Sequence, residues 1–129
     1  MITKYDLLAK AFSKEDANRA WQSWQDYQWD EESDVIPDNI MIVYSFYNYE
    51  DYRGYGHVIG YDKEAGEFFE VFGSHCSCYS LEGQWEMEYT SLEELEYSVK
   101  RRIEACEERG WRMEADEELD ELKELLEIE

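Results

Sequence analysis

The chain has 129 residues and a formal charge of -21, set by 33 acidic against 12 basic side chains, with 43% hydrophobic and 16% aromatic residues. That length fits a single domain spanning 1–129 with one modest core, and the apolar content excludes wholesale disorder. The negative field excludes direct binding of DNA, RNA or anionic lipid, and no apolar run nears the roughly 20 residues of a membrane span.

Cysteine usage and the N-terminus extend this reading. Three cysteines give no disulfide framework, and Met1 to Asp6 has no apolar secretory stretch, so a cytoplasmic protein is expected. The charge is uneven. Residues 1–28 balance four acids with four bases, residues 29–52 carry seven acids and no base, and residues 91–129 carry fifteen acids against six bases.

Residues 3–29 are expected to be helical. Thr3 caps a first segment with Tyr5, Leu8, Ala9 and Phe12 at helical spacing, and Ser13 with Asp16 gives a second capping signal. Beyond it Ala17, Ala20, Trp21, Trp24 and Tyr27 mark one face, read as core. An acidic connector follows over 30–39. Ile40 to Tyr49 alternates as a strand, with Ile42, Tyr44 and Phe46 on one side and Met41, Val43 and Tyr47 on the other. Both sides are apolar or aromatic, so a central strand is expected. Asn48 to Gly56 reads as a turn and His57 to Tyr61 as a second strand. Asp62 to Gly66 forms a hairpin loop with Gly66 in a left-handed conformation. Glu67 to Phe72 is a third strand, and Trp85 to Tyr89 a short fourth. Ser91 and Glu94 box the start of a helix striped by Leu92, Leu95, Val99, Ile103 and Cys106, and Gly110 suits its end. A last helix, near Ala115 to Ile128, carries Leu119, Leu122 and Leu126 on an acidic cylinder. The order predicts an α+β fold: a three- to four-stranded antiparallel meander packed with an N-terminal helical segment and two C-terminal helices.

Uncommon chemistry concentrates in Gly73 to Trp85, where His75, Cys76 and Cys78 fall within four positions. A structural zinc site takes about four N or S ligands, usually on two knuckles. This chain has one Cys-x-Cys, so closure requires His57 or Cys106 to join the thiols. His57, His75, Cys76 and Cys78 are therefore weak metal candidates, no cofactor is expected, and buried packing is the other role open to the cysteines. A Cys–His nucleophile is opposed by the surrounding acids, which raise a thiol pKa. No carboxylate pair stands out as a catalytic dyad, and no enzyme is expected.

The block Gly73-Ser74-His75-Cys76-Ser77-Cys78-Tyr79, followed by Glu82-Gly83-Gln84-Trp85-Glu86, resembles a signature of small phage and prophage proteins of unassigned activity. Ser80 stands where that pattern often has glycine, and Met87 where it often has proline. The resemblance implies a phage or mobile-element setting and brings no cofactor or catalytic residue.

Together these features predict an acidic interaction protein, of the anti-CRISPR or anti-restriction type. Its carboxylates would imitate the phosphate field and occupy the basic cleft of a host nuclease or nucleic-acid-binding complex. The expected contacts are Asp30, Glu31, Glu32, Asp34, Tyr47, Tyr49, Glu50, Asp51, Tyr52 and Tyr55, with the outer faces of the last two helices. The alternatives are a metal-stabilised binding module on the His75–Cys78 loop and a structural phage protein, with homo-oligomers pairing through the last helix.

Overall fold

A computed structural model of the protein describes residues 3–22, 24, 35–50, 53–75, 85–108 and 113–126. The elements run α1 (Lys4–Leu8), α2 (Lys14–Gln22), β1 (Ile40–Glu50), β2 (Arg53–Asp62), β3 (Glu67–His75), β4 (Glu88–Thr90), α3 (Leu92–Glu108) and α4 (Met113–Leu125). The four strands form one antiparallel sheet in the order β1-β2-β3-β4, so the fold is an α+β meander.

Each boundary has a local cause. Thr3 and Asp6 exchange side-chain and backbone hydrogen bonds at the start of α1. The Ser13 hydroxyl accepts from the Asp16 amide, so α2 starts separately from α1 at the second capping signal read from the sequence. The Ser91 hydroxyl accepts from the Glu94 amide at the head of α3. Valine, isoleucine, tyrosine and phenylalanine fill β1 to β3, whose pleated surfaces suit such side chains. The β2–β3 turn closes as expected, with Gly66 at φ 70° and its amide donating to the Asp62 carbonyl.

Two cores lie on opposite sides of the sheet. On one side Leu7, Val43, Tyr44, Phe46, Ile59, Tyr61 and Phe68 pack with Leu95, Val99 and Ile103 of α3 and Leu122 and Leu125 of α4. On the other, Ile40, Ile42, Val58, Phe69 and Val71 pack with Ala17, Trp24 and Ile36. Trp21, Trp85 and Met87 close over that second core, with the rings of Trp21 and Trp85 4.8 Å apart and edge-on. The tryptophan face of the N-terminal segment is thus core as read, and Tyr27 lies outside the described residues.

Three expectations need correction. Ile42 pairs with Gly60 and Tyr44 with Ile59, so Val43 is an extra residue in a β-bulge. Ile42 therefore faces the tryptophans, whereas Val43, Tyr44 and Phe46 all face α3 and α4, and strict alternation fails at that point. Secondly, β1 is an edge strand, although both of its faces are covered. Thirdly, the expected turn over 48–56 is largely strand, since β1 runs to Glu50 and β2 begins at Arg53. Strand β3 likewise extends through His75 into the cysteine-containing segment. In the last helix Leu122 and Leu125 are buried and Leu126 is partly buried, while the side chain of Leu119 lies outside the described residues.

Candidate functional site

Period-2 projection puts His57 of β2 and Phe68, Glu70 and Phe72 of β3 on the face covered by α3 and α4. A carboxylate between two phenylalanines in a strand needs a partner, and His57 supplies one. Its Nε2 lies 2.9 Å from Glu70 Oε2, with the histidine 1% and the glutamate 6% exposed. An ionised carboxylate only accepts, so in that state Nε2 carries the hydrogen. Phe72, the cross-strand partner of His57, stacks on its ring at 4.3 Å and 12°. Tyr44 approaches the same imidazole edge-on at 5.2 Å. The Tyr44 hydroxyl and His57 Nδ1 are both buried and have no hydrogen-bond partner among the described residues.

A second polar link ties α3 to α4. Arg102 donates from Nε to Glu118 Oε1 at 2.6 Å and from the terminal nitrogen to Oε2 at 3.0 Å, a two-pronged pair. The same guanidinium lies 4.6 Å from the centre of the Tyr55 ring. Glu118 is buried, so this pair holds charge inside the helix–sheet interface. Burial, and next the Glu118 and Glu121 carboxylates, push the Tyr44 phenol well above its ordinary pKa, and it stays protonated.

Asp62 is a third centre, at the far end of the sheet. Its carboxylate accepts from Asn39 Nδ2, the Tyr89 hydroxyl and the amides of Glu64 and Ala65. The Asn39 bond first, then the Tyr89 bond, hold its pKa below the usual carboxylate value. This joins the entrance of β1, the β2–β3 turn and β4 at one point.

The exterior of the helical layer is acidic. Its described basic side chains are engaged within the chain: Lys100 with Glu96, Arg101 with the Tyr97 hydroxyl, Arg102 with Glu118 and Lys123 with Glu107. Glu93, Asp120 and Glu124 are exposed and make no ion pair among the described residues, as do Glu86 and Glu88 at the sheet edge. The layer therefore presents carboxylates outward while its own cations are held by neighbours.

The residues singled out from the sequence are distributed unevenly. Tyr47 is 45% exposed on the side of the sheet opposite α3 and α4. Tyr55 is half-buried under Arg102 and 6.3 Å from Phe46, so it belongs to the helix–sheet interface rather than to an open surface. Only the backbone of Tyr49 and Glu50 is described, at the end of β1; Asp30, Glu31, Glu32, Asp34, Asp51 and Tyr52 lie outside the described residues. Among the weak metal candidates, His57 is buried with Nε2 on Glu70. The backbone of His75 pairs with Gly54, and Cys76 and Cys78 lie outside the described residues. No group of three or more His, Cys, Asp or Glu side chains that could hold a metal occurs among the described residues. No described helix is long and apolar enough to cross a membrane. The His57–Glu70 pair was not anticipated, although Glu70 inside Phe-Phe-Glu-Val-Phe was its visible signal. Comparison with protein-family models, curated proteins and solved structures found no match.

Proposed function

We propose that this chain is a non-enzymatic interaction protein that binds a basic protein surface by presenting carboxylates in place of nucleic-acid phosphates. The observation that carries the reading is the arrangement of charge on α3 and α4. Lys100, Arg101, Arg102 and Lys123 are held by groups of the same layer, while Glu93, Asp120 and Glu124 stand in solvent. Such a surface attracts a basic cleft over several ångströms and repels nucleic acid itself. The partner in this reading is a nuclease or another nucleic-acid-handling complex of a host cell, and the setting is a phage or mobile element, in keeping with the Gly73–Glu86 signature.

Affinity capture from a bacterial lysate tests it. The expected result is a basic nucleic-acid-handling protein retained at low salt, released at high salt and displaced by duplex DNA. Retention that is indifferent to salt, or capture without any nucleic-acid-handling protein, would overturn the reading.

A further inference from the structure

Phe72 is 44% exposed, yet one face of its ring is fixed. It stacks on His57 across the β2–β3 ladder, nearly parallel at 12°, and His57 is itself held by Glu70. His57 of β2 covers one face of the ring, so the other face is turned away from β2, and β4 is the next strand on that side. Glu88 of β4 pairs with Glu70 and therefore projects from the same face as Phe72. Diagonal neighbours on one face are roughly 7–8 Å apart, somewhat less between Cβ atoms, which is within reach of long side chains. Glu88 is exposed, and so is Glu86 just before the strand. Neither makes an ion pair among the described residues.

We infer that Phe72 and Glu88 form a subsite for an arginine side chain of the basic partner. The guanidinium would stack on the outer ring face of Phe72 and pair with the Glu88 carboxylate. A fixed aromatic face beside a carboxylate fits a planar, delocalised cation better than the compact ammonium of lysine. The stack on His57 favours one ring position before binding, which reduces the rotamer freedom lost when a cation docks. The inference rests on the charge-mimicry reading and names a point on its surface where an aromatic ring adds to charge.

The test is an NMR titration of the full chain with tetra-arginine and tetra-lysine peptides. The Phe72 ring protons are expected to shift saturably with the arginine peptide. Phe72→Leu should weaken that peptide about threefold and leave the lysine peptide nearly unchanged. Glu88→Gln should weaken both about twofold. If Phe72→Leu binds the arginine peptide as tightly as the parent, the subsite is wrong while charge-driven binding stands. If neither peptide binds, the underlying reading fails too. Should Phe72→Leu not fold, the ring shifts of the unaltered chain decide: no movement on saturation overturns the proposal. Phe72 shifts that change on diluting the protein alone would make a second copy the occupant and also overturn it.

Discussion

The two sides of the sheet are built on different principles. The side under Trp21, Trp24 and Trp85 is closed by rings: Trp85 meets Trp21, Trp24 and Phe69 at centroid distances of 4.8, 5.8 and 5.9 Å. The side under α3 and α4 combines a mixed aliphatic and aromatic core with Glu70 and His57 paired on the strands, the buried Tyr44 hydroxyl, and the Arg102–Glu118 pair between the helices. Ring packing tolerates little change of shape, because interiors are close-packed. Buried polar groups instead tolerate little change of partner, since losing one strands the other. One sheet thus carries a steric constraint on one side and an electrostatic one on the other.

The largest effect is expected on the electrostatic side. Arg102→Met leaves Glu118 buried without its cation and should destabilise the chain by about 3 kcal/mol in chemical denaturation. Adding Glu118→Leu should restore most of that loss. If the double variant is as unstable as the single one, the loss came from packing and the contrast between the sides fails.

On the tryptophan side the matching perturbation is Gly60→Ala. A Cβ there would lie 2.4 Å from Phe69 Cζ and 2.6 Å from the Met41 carbonyl oxygen, and backbone cannot step aside as a side chain can. We expect a loss of about 2 kcal/mol, with tryptophan fluorescence changed through the Phe69–Trp85 contact. A neutral Gly60→Ala would show this side to be as compliant as a loose core.

A smaller effect has the opposite sign. The Tyr44 hydroxyl is buried without a partner, so Tyr44→Phe should stabilise by about 1 kcal/mol. A destabilised Tyr44→Phe would mean that the hydroxyl contributes a bond in solution.

The last prediction concerns Asp62, which joins the entrance of β1, the β2–β3 turn and β4 at the sheet end. Because the folded state lowers the Asp62 pKa below 3.8, its contribution is present above that value and lost as pH falls through the folded one. The stability gap between parent and Asp62→Asn should therefore be open at about pH 5 and narrow towards about pH 3. A gap that is constant with pH would remove Asp62 as the acid-sensitive joint.

The local devices were legible from sequence because their signals are short-range. The Thr3–Asp6 and Ser91–Glu94 caps, the Gly66 turn and the Ala17–Trp24 stripe each depend on residues within a turn or two. What escaped depends on distant pairing. Nothing near Val43 marks the bulge, since valine is an ordinary strand residue and the irregularity exists only relative to Gly60 and Ile59. The edge position of β1 follows from strand order, and an edge strand covered on both faces has the composition of a central one. Of the candidate contact surface, the acidic bias was plain in the sequence, but the half-burial of Tyr55 required knowing that Arg102 lies above it. Glu70 could have been found: a carboxylate flanked by Phe69 and Val71 in a strand is itself a request for a cation or donor.

The bulge also decides which changes of length β1 can survive. Removing a residue elsewhere in the strand turns every side chain on one side of the cut over to the opposite surface, exchanging isoleucines meant for tryptophan with tyrosines meant for helices. Taking out Val43 does not, because Ile42 already opposes Gly60 and Tyr44 already opposes Ile59. A chain shortened there keeps all its remaining partners and loses one valine and a local twist. Position 43 is thus the strand's expansion joint, where one residue can be lost without inverting the rest.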